Sequence, residues 1–295
     1  MQPTIRKILY DNYTIAQKVR FLYRFFKWQF ISKILKQKLI FRFTPNSRLM
    51  LLNGFHALSG NYYFGLAEPD VMPFFLHVLR EGDLFADIGA NGGAYTVLAS
   101  GEKGAQTVAI EASPNVFEGL IKNIQLNNLE NLVDARNVAV SDVNGILRFT
   151  RSDHATNHVL LEDSADAITV NAQTLDSILD GRVPNFIKMD IEGYEHNALL
   201  GASQSISNAR CKAVVLEFGN IGVYYGYGNS ATHQLMLDHG FKPYRYNCET
   251  RQLTSFNPLA PSEYFNINMI YIKDLEFVQQ RIAGAGKIVM SGERV

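Results

Sequence analysis

Residues 83–96, DLFADIGANGGAYT, constrain this chain more than any other stretch. Leu84, Phe85, Ala86 and Ile88 make a short apolar run of the kind buried on both faces of a parallel sheet. Asp87 interrupts the run near its carboxyl end, where an open α/β sheet presents its ligand crevice. Gly89-Ala90-Asn91-Gly92-Gly93 supplies a turn that tolerates left-handed backbone, and Ala94 to Ser100 reads as a helix start. A strand, a glycine turn and a helix N-terminus together direct backbone N–H groups at a small ligand with an anionic group. A second apolar run, Val108 to Ile110, ends in Glu111, 22 positions after Gly89. That spacing sets a carboxylate at the tip of the neighbouring strand, where it binds two adjacent ribose hydroxyls. The unit reads as a nucleoside-cofactor site.

A dinucleotide fingerprint, G-x-G-x-x-G, lets pyrophosphate lie against the turn. Here Asn91 stands in the place of the second glycine, and Asp87 faces any pyrophosphate with like charge. S-adenosylmethionine fits better: Asp87 pairs its ammonium, while the turn and helix N-terminus take its carboxylate. A nicotinamide-dependent oxidoreductase is the rival reading, and a non-catalytic, membrane-associated protein of the same fold is a second.

Four blocks in order, D-I-G-A-N-G-G-A-Y-T, E-A-S-P-N-V-F with N-N-L-E-N-L, A-V-S-D-V-N-G, and I-K-M-D-I-E-G-Y-E with L-L-G-A, resemble the FkbM-type S-adenosylmethionine-dependent methyltransferases. The resemblance spans roughly residues 68–218. It implies a Rossmann-like class I methyltransferase fold with a mostly parallel seven-stranded sheet, and O-methylation of sugars or other hydroxylated natural products. It also implies a cofactor site of Asp87, Gly89, Ala90, Asn91, Gly93, Tyr95, Thr96, Glu111, Ala112, Ala139 and Asp190, with Ala139 beside the adenine.

Hydroxyl methylation needs a general base near neutral pH. Asp190 follows the apolar run Phe186–Met189 and sits at a strand tip. Glu192 shares its direction if extension persists, or caps the following helix. His154 stands with Asn157 and His158 in the polar stretch 151–166, read as a loop over the crevice. Glu217 ends another strand, so three acids converge on adjacent tips. Lys188 nearby and the lack of an Asp-Asn pair turn the reading away from a divalent metal. Tyr62, Tyr63 and Glu68 precede the cofactor strand and are either site residues or plain packing. The aromatic loop Gly222–Gly228 is a candidate acceptor wall.

Charge divides the chain sharply. Residues 1–48 hold eleven Lys or Arg against Asp11 alone, whereas the remainder carries 17 basic and 27 acidic side chains. Residues 19–43 interleave these cations with Phe, Trp and Tyr and read as a helix. Such a segment lies on an anionic membrane, or packs on the catalytic domain or a second copy of the chain. Nothing else forms a basic groove, so nucleic acid is not an expected partner. The expected division is a basic helical segment at 1–52, a catalytic domain at 53–280 and a tail at 281–295. Cys211 and Cys248 form no disulfide framework, which suits a reducing, cytoplasmic setting with peripheral membrane contact left open. Further expectations are helices at 70–80 capped by Asp70, at 113–127 and at 232–239, a third strand at 137–140, a strand at 146–150, and a closing hairpin of 241–246 with 267–272.

Overall fold

The computed structural model describes residues 3–11, 13–52, 58–150, 158–161, 167–259, 267–287, 289–290 and 293–294. The chain opens with helix α1 (Pro3–Tyr10) and helix α2 (Ile15–Gln29). Thr14 begins α2 with a capping box: its hydroxyl accepts from the Gln17 N–H, and its own N–H donates to the Gln17 side chain at 2.9 Å. One wider turn, Phe30–Ile34, continues the helix. Residues 39–43, expected to be helical, instead enter a hairpin of β1 (Leu39–Arg42) and β2 (Arg48–Leu51) around Pro45-Asn46. Proline in the turn cannot continue a helix, and antiparallel pairing satisfies the backbone groups that the helix would have used.

Helix α3 (Ser59–Phe64) lies against α2, and helix α4 (Met72–Val78) follows. α4 is shorter than 70–80, and Val71 rather than Asp70 holds the cap position, with Pro73 in the first turn. Phe21, Phe25 and Trp28 of α2 share one buried core with Phe74, Phe75 and Phe85.

The central layer begins with β3 (Leu84–Ile88), the short helix α5 (Ala94–Val97), β4 (Gln106–Ile110), helix α6 (Pro114–Leu126) and β5 (Val133–Arg136). β5, not 137–140, is the third strand of the main sheet: Glu111 N–H donates to Arg136 O at 3.1 Å, in register with β4. β6 (Ala139–Val140) leaves that sheet and joins β7 (Gly145–Thr150) and β8 (Ala167–Gln173) in a small sheet of order β6-β8-β7. β8 has no counterpart in the sequence reading, although AITVNAQ alternates in burial as a half-exposed strand does.

Helix α7 (Leu175–Leu179), β9 (Phe186–Met189), helices α8 (Glu195–Leu200) and α9 (Ser203–Ser207), β10 (Ala213–Phe218) and helix α10 (Asn229–Asp238) come next. β11 (Lys242–Asn247), β12 (Gln252–Ser255), β13 (Ile267–Ile272) and helix α11 (Leu275–Ala283) complete the layers. The main sheet has eight strands in the order β12-β11-β13-β10-β9-β3-β4-β5. Its core of β10, β9, β3, β4 and β5 is parallel, and β13, β11 and β12 close it antiparallel. The eighth strand is β12, which pairs with β11 as a hairpin on the outer edge. Chain order reverses at β3, which has β4 on one side and β9 on the other. Ligands of open α/β sheets bind at such a switch point, outside the carboxyl ends of the strands.

Candidate active site

A cavity opens at that switch point. Gly89, Ala90, Asn91, Tyr95, Glu111, Ala112, Ala139 and Asp190 line it, as does Glu192. Asp87, Gly93 and Thr96 do not; they stand behind the wall. Asp87 is wholly buried, its Oδ2 accepts from the Thr96 hydroxyl at 2.6 Å, and its Oδ1 has no partner among the described residues. Burial raises the Asp87 pKa while Lys188 and Thr96 pull it down. An orphaned buried oxygen beside a ligand cavity is an acceptor in search of a donor.

The turn is held by its own backbone. The N–H groups of Gly89 and Ala90 both donate to Ile110 O at 2.9 Å, that of Gly92 to Asn91 Oδ1 at 2.7 Å, and that of Gly93 to Ala90 O at 2.9 Å. The expected row of turn N–H groups aimed at a ligand is therefore engaged within the protein. Gly89 is required for a different reason than a ligand's approach. Its φ is +74°, and a Cβ there would lie 1.9 Å from Asp190 O, so the turn and β9 come too close for any side chain.

Glu111 is fixed before any ligand arrives. Asn91 N–H donates to Oε2 at 3.0 Å and Ser113 N–H to Oε1 at 2.8 Å. Burial raises its pKa to about 7 against those two stabilising bonds. Ser113 therefore serves the carboxylate through its backbone; its side chain makes no cap for α6.

Across the cavity a charged network surrounds Lys188, which is only 4% exposed in the middle of β9. Burial pulls its pKa down, but Asp190, Glu68 and Asp87 outweigh that and hold the ammonium protonated. Its Nζ sits 2.9 Å from Asp190 Oδ2 and 4.7 Å from the centre of the Tyr95 ring. Tyr95 donates its hydroxyl to Glu68 Oε2 at 2.7 Å, and Asn268 Nδ2 donates to the same oxygen at 2.7 Å. Burial raises the Glu68 pKa. Glu68 belongs to the site, whereas Tyr62 and Tyr63 are buried in the aromatic layer beneath α2, 5.1 Å from Phe41 and 5.5 Å from Phe25. Lys188 was legible as an anomaly: a cation inside the buried run FIKM demands a partner.

Strand alternation does not join Asp190 to Glu192, because β9 ends at Met189 and Glu192 turns left-handed at φ +56°. Nor does Glu192 cap the next helix: Tyr194 holds the cap position with no side-chain bond, and Glu195, the first helical residue, braces the preceding turn by accepting from Ile191 N–H at 2.9 Å and Gly193 N–H at 3.3 Å. Burial, then Asp190, raise the Glu192 pKa to about 7. Glu217 rises to about 9 through burial and the facing Asp190, Glu192 and Glu195. Tyr194 lines the cavity, and Tyr225 of the aromatic loop meets it edge-on at 5.0 Å. Among the described residues no three His, Cys, Asp or Glu side chains are arranged to hold a metal ion. His154 and Asn157 lie outside the described residues. His158 is described, and its carbonyl accepts from Thr150 N–H at 3.1 Å, laying 158–160 along β7.

A parallel sheet with its switch point at β3 and a cavity at the carboxyl ends of its strands is the architecture of the class I methyltransferases. The sequence model described as "Methyltransferase FkbM domain" matches residues 87–243. The chain belongs to the FkbM methyltransferase family. It is 26% identical over 155 residues to the hexuronic acid methyltransferase AglP of Haloferax volcanii, spanning 52% of this chain and 63% of that relative. Among solved structures, the methyltransferase FkbM of Methylobacillus flagellatus superposes with TM-score 0.41 at 18% identity, over 73% of this chain and 53% of that one. An rRNA methylase of Streptococcus thermophilus superposes with TM-score 0.43 at 10% identity, over 69% and 93%.

Proposed function

We propose that the protein transfers a methyl group from S-adenosylmethionine to a hydroxyl of a sugar or glycan, with Glu192 as general base. The observation that carries this reading is the cavity's charge. Glu68, Glu111, Asp190 and Glu192 line the cavity with Lys188 the only cation in its wall among the described residues; burial first and the neighbouring Asp190 second raise the pKa of Glu192, and a sulfonium cation offsets that excess of carboxylates. Glu111 takes the ribose hydroxyls, and Ala112 and Ala139 border the adenine. The backbone donors of the turn are already engaged, so the methionine carboxylate is assigned to Lys188 rather than to the turn.

When bound, S-adenosylmethionine supplies an electrophilic methyl carbon. Asp190 is engaged by Lys188 at 2.9 Å, and its work is to position that ammonium. Glu192 has no ion-pair partner among the described residues, lines the cavity and has its pKa raised to about 7, which suits removal of a hydroxyl proton. His154 is the alternative base. The similarity to a hexuronic acid methyltransferase supports a sugar acceptor, and the two free cysteines fit a reducing, cytoplasmic setting.

The test is isothermal calorimetry with S-adenosylhomocysteine, then turnover of isotopically labelled S-adenosylmethionine on a panel of uronic acid and neutral sugar acceptors. Labelled O-methyl sugar supports the reading. Absence of any cofactor binding rejects it.

A further inference from the structure

Two of the five α2 aromatics, and Phe30 in the wider turn that follows, are not part of the core. Phe21, Phe25 and Trp28 are buried beneath the helix, yet Ile15, Val19, Tyr23, Phe26, Phe30 and Ile34 are exposed, with Phe26 at 58% and Phe30 at 51%. These positions recur at intervals of four, four, three, four and four residues. At helical periodicity Ile15 to Phe30 fall within an arc of roughly 80°, facing away from the buried set. The result is a continuous apolar stripe running the length of the helix and its wider final turn.

Cations rim that stripe. Lys27 lies 5.8 Å from the centre of the Tyr23 ring, and Lys33, Lys36 and Lys38 are exposed at its far end. None of these four forms an ion pair among the described residues. Residues 15–38 contain seven Lys or Arg and no Asp or Glu. A two-fold contact between copies of the chain would bring this patch against itself and set like charges together. An anionic lipid surface supplies both an apolar layer for the rings and negative headgroups for the rim.

We propose that the outer face of α2 and its continuation docks on an anionic bilayer, with Tyr23, Phe26, Phe30 and Ile34 at the interface and Lys27, Lys33, Lys36 and Lys38 among the headgroups. The inner face stays on the protein throughout. The helix is also tied toward the cavity: Arg24 donates to Tyr62 O at 3.2 Å, and the adjacent Asn61 lines the cavity wall. Docking therefore places a bilayer one helix layer away from the site, and this holds whatever the acceptor is.

Flotation with vesicles of phosphatidylcholine, with and without phosphatidylglycerol, tests the proposal. The full chain should co-float with the anionic vesicles at low salt, at least tenfold less with neutral ones, and less as salt rises. Tyr23→Ser/Phe26→Ser/Phe30→Ser and Lys27→Glu/Lys33→Glu/Lys36→Glu should each lower partitioning by roughly a hundredfold, since each cation near an anionic surface is worth about fivefold. Both sets avoid the buried ring positions, and an unchanged melting temperature verifies their fold. The unsubstituted chain provides a second readout, because Trp28 is its only tryptophan and is buried on the inner face. Its emission should stay unshifted on vesicle binding and unquenched by brominated lipid. The proposal is overturned if the chain stays unbound to anionic vesicles at low salt, or if the serine variant floats as well as the parent. Strong quenching of Trp28, or a dimer that the serine substitutions dissociate in place of flotation, also overturns it.

Discussion

Glu111 and Glu192 are both lifted to about 7, and the lift acts on different steps. In the proposed role, accepting from a ligand diol, Glu111 works best ionised, so cofactor affinity should rise as pH increases through about 7. The same shift destabilises the unliganded fold. A folded pKa above the ordinary carboxylate value contributes stability that is complete below about 4.5 and is lost as pH rises through about 7. Glu111→Gln should weaken S-adenosylhomocysteine binding by about 1–3 kcal/mol at pH 8, the scale of hydrogen bonds to a charged group. It should also flatten the pH dependence; calorimetry at pH 6 and 8 decides. Glu192→Gln should leave that affinity near the parent value while turnover drops by about 10²–10⁴-fold, the range for losing a general base. Because Glu192 is held above its ordinary pKa, the same substitution should raise the melting temperature at pH 8. Asp190→Asn should behave oppositely, lowering the melting temperature, since it strips the buried Lys188 of its nearest partner. Scanning calorimetry on the two variants separates the base from the positioning group.

At the scale of elements, the turn after β3 and the entry to α2 show how local chemistry sets geometry. Gly89 has no room for a side chain because β9 passes beside it, so Gly89→Ala should displace Asp190 and abolish cofactor binding even if the protein folds. A near-parent calorimetric affinity in that variant would contradict the close approach of the two strands. The Thr14 capping box is independent of the site. Thr14→Ala should cost about 1 kcal/mol of stability, read by urea denaturation, with cofactor affinity unchanged. Elements that sequence alone misplaced are those whose pairing partner is distant. Residues 39–43 continue a helical pattern of basic and apolar residues, yet Pro45-Asn46 folds them onto β2. Ala139-Val140 is apolar like a third strand, but β8, some thirty residues later, takes it into a separate sheet.

At the scale of the molecule, the N-terminal helices and the layers around the main sheet share one buried cluster. Trp28→Ala should therefore cost about 3–5 kcal/mol, the usual scale for a buried large aromatic, and lower the melting of the whole protein in a single transition. Two separate transitions in scanning calorimetry would show that the arm melts on its own. The parallel strands around β3, the glycine turn and the strand-tip position of Glu111 were determined by the sequence itself. Apolar runs, glycines and a carboxylate at a characteristic spacing are local signals that survive without knowledge of neighbours. Only the tertiary structure decided that Asp87 stands behind the cavity wall, that Lys188 and Glu68 line it, and that Glu195 rather than Glu192 braces the turn before the helix. It also decided which α2 rings are buried and which are exposed. Those outcomes depend on which surfaces meet across long stretches of chain, and a charge or an aromatic ring carries no mark of its partner until the sheet and helices bring them together.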